Sequence, residues 1–269
     1  MRALLASPLG FLIGLSLGTL GGGGSILAVP VLVYAAGQTP RQATASSLIL
    51  VASTSLLGIA PHWKARRVRI VPGLLFSLAG VIASLLGSAL NRRVDENLLL
   101  LVFSGLMFIA AGAMARSLRR RRSHVASIPS PIGTAIVAPT KITVNIATVF
   151  KVIFAGSVVG ILTGFFGVGG GFVIVPALVL ALGFRMPEAV GTSLLVIVIN
   201  SVVALASRLD GGNIDWSVII PFGVASISGV LVGSRIVGRN DPDKLQNWFI
   251  ALLVVVAIYT AVRSAITLA

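Results

Sequence analysis

Two stretches of this chain, 146 residues apart, carry nearly the same pattern, and each is a cluster of glycines followed by a proline. The first, GLSLGTLGGGGSILAVPVLV, runs from Gly14 to Val33; the second, GILTGFFGVGGGFVIVPALV, runs from Gly160 to Val179. At this one offset Gly14, Gly18, Gly21, Gly23, Gly24 and Pro30 fall on Gly160, Gly164, Gly167, Gly169, Gly170 and Pro176. The register persists downstream, where Gly37 meets Gly183, Ser47-Leu48 meets Ser193-Leu194, Gly87-Ser88 meets Gly233-Ser234, and Asp95 meets Asp241. Such a chain folds as two related halves, and glycine-interrupted apolar segments at corresponding positions are the mark of a transporter built on internal repeats.

Composition sets the solvent. With 56% hydrophobic residues, 10% charged residues and a mean hydropathy of +1.03, the chain is far from a soluble domain, which carries about 25% charged residues. An integral membrane protein of several helices is expected. The formal charge of +14 does not point to nucleic acid, because the basic residues lie in short loops between apolar spans and serve as topology signals. There is no cysteine, and the two histidines, His62 and His124, both adjoin basic loops, so neither a thiolate nor a histidine-rich metal site is available and no cofactor is expected. Met1-Arg2 before an apolar run resembles a signal peptide, but the repeat assigns residues from Gly14 onward to the mature fold.

Five apolar segments are read in each half. In the first they run Ala3–Leu20, Ser25–Ala36, Ala45–Ala60, Val71–Leu90 and Leu98–Ala115; in the second, Val152–Phe166, Phe172–Leu182, Thr192–Ala206, Val218–Val237 and Leu245–Val262. A crossing needs about 20 residues. The second segment of each half has only about a dozen and is bounded by glycines, so it reads as a half-helix or re-entrant piece, tolerated at membrane depth only where protein or a watery cavity covers it. The loops holding Lys64, Arg66, Arg67 and Arg69, and Arg116 with Arg119 to Arg122, are expected to be cytoplasmic; the loop with Arg92, Arg93, Asp95 and Glu96 faces outward. In the second half the sides exchange: Arg208 to Trp216, with Asp210 and Asp215, reads as external, and Arg235, Arg239 and Lys244 as internal. An odd number of crossings per half makes the repeat inverted, with both termini outside. Ten full spans and three crossings plus a hairpin per half both satisfy this. The expected organisation is residues 1–122 as the first transmembrane repeat, 123–150 as a cytoplasmic linker with room for one surface helix, broken by Pro129, Pro131 and Pro139, and 151–269 as the second repeat.

Two constellations carry the candidate chemistry. The glycines Gly21, Gly22, Gly23 and Gly24, followed by Ser25, and Gly167, Gly169, Gly170 and Gly171 either let helices pack closely or break a helix so that free N–H groups and a helix N-terminus face a cavity. The second arrangement binds an anion without a full positive charge. A phosphate loop does not fit, for no Lys-Ser pair follows. The second constellation is polar: Ser46 and Ser47, Thr192 and Ser193, and, seven residues beyond Ser47 and Ser193, Thr54 and Asn200. Seven residues is almost two helical turns, so each pair shares a face. Ser53, Ser55 and Ser201 add hydroxyls. The alternative reading of the hydroxyls is bonding within or between helices. All seven carboxylates (Asp95, Glu96, Glu188, Asp210, Asp215, Asp241, Asp243) fall in loops or at span ends, which disfavours a buried acidic cation site. Arg41, Arg185 and Arg208 lie near span ends, where they attract an anion or snorkel to the interface. His62-Trp63 reads as an interfacial anchor.

The doubled GxxxGxxGxGGxxxxxP pattern, with SSL at Ser46–Leu48 and TSL at Thr192–Leu194, resembles the TauE/SafE family of membrane transporters, the sulfite exporter family, over nearly the whole chain except the linker. The resemblance implies an inner-membrane carrier that exports sulfite or small organosulfur anions such as sulfoacetate, with Gly21 to Gly24, Gly167 to Gly171, Ser47 and Ser193 lining its site. Ser25 stands where the second copy has Gly171, and Gly22 where it has Val168, so the half-sites are expected to be unequal. A gated anion channel, a carrier of a different small anion and a non-transporting membrane subunit remain as alternatives, and a homodimer is the default assembly for a helical carrier of this size.

Overall fold

The computed structural model describes residues 2–91, 96–126, 146–166, 171–206 and 215–268. Within them the chain is a succession of helices: α1 (Arg2–Leu20), a 3₁₀ turn (Gly21–Gly24), α2 (Ser25–Tyr34), α3 (Pro40–Lys64), α4 (Ile70–Asn91), α5 (Glu96–Ala126), α6 (Ile146–Phe166), α7 (Gly171–Leu180), α8 (Met186–Ala206), α9 (Trp216–Arg239) and α10 (Pro242–Leu268). The first residues of α2, α3, α4 and α5 recur 146 positions later as the first residues of α7, α8, α9 and α10. The stretch read as a linker lies outside the described residues from 127 to 145.

Six helices, α3, α4, α6, α8, α9 and α10, contain segments long and apolar enough to cross a membrane. This is a multi-pass membrane protein. The faces turned away from the interior are apolar in register: Leu74, Leu78, Leu85 and Leu86 of α4 are exposed, as are Ile220, Val224, Leu231 and Val232 at the equivalent positions of α9. Such surface requires lipid rather than water. By contrast α2 and α7 have ten residues each, about 15 Å of helix, half of the hydrocarbon thickness.

The halves interlock. The first helix of each half packs on the fourth helix of the other: α1 on α9, and α6 on α4. Glycines set this approach, and they do so pairwise at the 146-residue offset. A Cβ on Gly14 would overlap the Ser226 carbonyl, and one on Gly160 the carbonyl of Gly80, its counterpart; Gly18 likewise abuts Val230, and Gly164 abuts Ser84. Ser226 adds a bond across the seam, donating to the Gly10 carbonyl at 2.9 Å. Elsewhere α3 lies on α8 and α5 on α10, the latter pair tied by Gln246, which donates from Nε2 to the Met114 carbonyl at 2.9 Å in the buried interior.

Helix starts are locally specified. Thr39 caps α3 in a reciprocal arrangement with Gln42, with Pro40 at the first helical position. Asp215 caps α9 by accepting from the Ser217 N–H at 3.1 Å. These polar starts explain why α3 begins five residues before the apolar run that betrays it.

Candidate functional site

The site is best built from the first glycine turn. Gly21 has φ +66, left-handed backbone that glycine adopts without a Cβ penalty, and it reverses the chain. A Cβ on Gly24 would stand 2.6 Å from the Leu17 nitrogen and 2.7 Å from the Ile13 carbonyl oxygen. The start of α2 therefore lies back against α1. All four glycines are buried. The 3₁₀ turn runs straight into α2, with the Ser25 N–H on the Gly22 carbonyl. The N–H groups left over at the start of this segment thus belong to the glycines.

What the turn rests on is the other half. A Cβ on Gly21 would collide with Ser193 Oγ and come within 3.2 Å of Val190 Cα. Gly22 lies against the backbone of Gly171, and a Cβ on Gly171 would collide with Ser25 Oγ. Ser25 and Gly171 open α2 and α7 and are equivalent in the repeat, so the two short helices begin side by side. Only one hydroxymethyl fits between them. Ser25 supplies it and donates to the Gly22 carbonyl at 2.7 Å. The Ser-for-Gly departure from symmetry is thus a packing requirement at the junction.

The candidate hydroxyls divide between the two ends of the paired helices α3 and α8. Ser193 donates back to the Val190 carbonyl and Ser47 to the Thr44 carbonyl, each at 2.8 Å and at equivalent positions. Gly58 faces Leu194, and His62 faces Gly191, so α3 and α8 are antiparallel. Ser47, eleven residues before Gly58, lies about 16 Å along α3 from the level of Leu194. Gly21 and Ser193 are brought together; Ser47 and Ser193 are not. Thr54 and Asn200 fall near the same level, about the middle of the pair. Thr54 is buried and donates to the Leu50 carbonyl. Asn200 Oδ1 and the hydroxyls of Ser46 and Ser55 are enclosed without a protein partner. Thr192 accepts from the Arg69 N–H at 3.1 Å. Gly167, Gly169 and Gly170 lie outside the described residues.

Beyond Ser193 the α3–α4 loop closes over the start of α8. Arg69 Nη2 donates to Glu188 Oε1 at 2.7 Å, and Arg67 donates its N–H to the His62 carbonyl at 2.9 Å. Burial lowers the Arg67 guanidinium from its ordinary value, yet arginine stays charged. Its Nη2 is 3.6 Å from where a Cβ on Gly238 would stand, so the basic α3–α4 loop and the basic end of α9 share one end of the bundle. Trp63 is 54% exposed, as an interfacial anchor requires, but His62 is 0% exposed. The expected anchoring role does not extend to His62: along α3 the two side chains point about 100° apart, and the imidazole turns inward. Sequence reasoning missed this group. The signal was present, since His62 aligns with Arg208 at the repeat offset.

Comparisons with known proteins converge. The family model described as sulfite exporter TauE/SafE matches residues 6–260. A probable membrane transporter protein of Xylella fastidiosa (strain 9a5c) is 33% identical over 263 residues, covering 95% of this chain and 93% of its own. The probable membrane transporter protein YunE of Bacillus subtilis (strain 168) is 26% identical over 263 residues, covering 93% and 89%. The probable membrane transporter protein MJ0441 of Methanocaldococcus jannaschii is 36% identical over 115 residues, covering 40% and 43%. No solved structure matches the chain.

Proposed function

The chain belongs to the sulfite exporter TauE/SafE family, and from that premise we propose that it is a secondary carrier exporting small sulfur-containing anions, sulfite or an organosulfonate, across the inner membrane by alternating access. The observation that carries this reading is the contact of the first half's glycine turn, at Gly21, with Ser193 of the second half. The backbone of a broken helix and a hydroxyl from the opposite half meet there; with the Ser193 hydroxyl turned from the Val190 carbonyl, it and the N–H groups of the turn are a donor set that suits an oxyanion. A site made by both halves changes shape when they rock, which is what alternating access needs.

Inverted topology is part of the proposal. The end of α3 and the beginning of α4 flank one loop, and that loop lies against the end of α9, the counterpart of α4. Helices α4 and α9 then run in opposite directions, as they must if the repeats are inverted. The basic residues on that end assign it to the cytoplasm. Ser193 then belongs to an inner half-site and Ser47 to an outer one.

Counterflow of labelled sulfite in proteoliposomes tests the function, with sulfate, thiosulfate, sulfoacetate and acetate as competitors. We expect saturable exchange that Ser193→Ala reduces at least about tenfold, a loss of ~1.4 kcal/mol of donor–anion interaction. Single-channel currents in place of saturation would establish the gated anion channel instead. Exchange of another competitor but not sulfite would keep the carrier and replace its substrate.

A further inference from the structure

His62 is a buried polar side chain left without a partner. It is fully buried, and neither Nδ1 nor Nε2 has a hydrogen-bond partner; the Gly18 backbone lies nearby, outside hydrogen-bonding geometry. An imidazole withdrawn from water without partners is costly. Its location gives the reason to keep it. His62 Cβ lies 3.2 Å from where a Cβ on Gly191 would stand, two residues from Ser193, while Gly18 is three residues from Gly21. The imidazole thus lies at the level of the inner half-site, between α1 and α8, toward the basic loop.

The repeat supplies a second, independent observation. The position equivalent to His62 is Arg208. One half carries a permanent cation there and the other a group that is cationic only when protonated. We propose that His62 is the proton-binding group of the carrier, protonated while the anion occupies the inner half-site and neutral when the site is empty. This rests on the carrier reading above.

Electrostatics links the two events. The charged and titratable groups carried toward this end by His62's own helix, the loop and the elements packed on it are Lys64, Arg66, Arg67, Arg69, Glu188 on α8 and Arg235 toward the end of α9; α1 contributes none from Pro8 to Leu20. Glu188 is engaged by Arg69, and Arg67 is close enough to interact with the ring. An imidazolium beside Arg67 gathers two positive charges in one desolvated corner, and an anion in the half-site relieves that arrangement. Proton and anion therefore favour each other's binding. A divalent anion moving with one proton still carries net negative charge, so an inside-negative membrane potential drives its export.

The test is the pH profile of counterflow in proteoliposomes, with labelled sulfite and labelled sulfoacetate as probes. Wild-type exchange should fall by up to about tenfold per pH unit on the alkaline side of the imidazole titration. His62→Gln should sit at the low alkaline rate at every pH, and His62→Arg, with fixed charge, should lose the same pH dependence. Either folded variant that keeps the wild-type profile overturns the proposal. Independently of any variant, purified wild-type protein should take up about one proton when sulfoacetate is added, and no uptake overturns it too. Wild-type exchange without pH dependence rejects His62 coupling alone, whereas no exchange of sulfite, sulfoacetate, sulfate, thiosulfate or acetate rejects the carrier reading as well.

Discussion

Glycines of one motif do two different jobs within a few residues of each other. In the seam between α1 and α9, Gly14 and Gly18 are helical, and a side chain would run into the backbone of Ser226 and Val230. In the turn, Gly21 is left-handed and faces the hydroxyl of Ser193, while Gly23 faces the side chains of Leu252, Phe249 and Leu20. The seam fixes how closely the halves interlock; the turn brings the backbone of Gly21 and Gly22 against the partner half. Close packing is the reading that the seam glycines bear out; the anion-binding reading of the turn belongs to the proposal above.

Substitutions separate the two regions, and the largest effect belongs to the seam. Gly14→Ala or Gly160→Ala pushes a methyl into a carbonyl that is part of a helix and cannot swing away. We expect a loss of more than about 3 kcal/mol or no folded protein, read as detergent-solubilised thermal stability; a fall of under a degree would break the distinction. Next comes Glu188→Gln, which removes a charge-assisted bond to Arg69 on a partly buried face and should cost about 2 kcal/mol. Ser193 lies one turn beyond, so this change should also raise the rate at which a cysteine placed at Ser193 is labelled from the cytoplasmic face. The smallest effect is expected at Gly23→Ala. Its new methyl meets the end of Leu252 at 3.0 Å, and a flexible side chain yields, so stability should move by no more than about 1 kcal/mol.

Much of this was written in the chain. Among the described residues ten helices appear where ten apolar segments were read, because lipid-facing helices need unbroken apolar runs. The start of α3 was not legible from apolarity, although Thr39, Pro40 and Gln42 form a capping signal that reads without a structure. The candidate residues were legible one by one but not in their pairing. Seven-residue spacing places Ser47 with Thr54 and Ser193 with Asn200 on common faces, but periodicity within a helix says nothing about which half supplies the neighbour. Gly21 meeting Ser193 rather than Ser47 is a property of interlocked halves. His62 was hidden for a related reason: beside Trp63 and a basic loop it looks interfacial, and only the packing of α3 against α8 turns it inward.

Counterflow in proteoliposomes bearing Gly21→Ala or Gly183→Ala tests the central claim, that the turn and Ser193 form a working contact. Both glycines are left-handed, at φ +66 and φ +67, but a Cβ on Gly183 meets nothing within 4 Å. The backbone strain, about 1 kcal/mol, is shared, and only the contact differs. Abolished sulfite exchange in folded Gly21→Ala, beside near wild-type exchange in Gly183→Ala, is the predicted result. Equal exchange in both would contradict the account, leaving the turn as a chain reversal and nothing more.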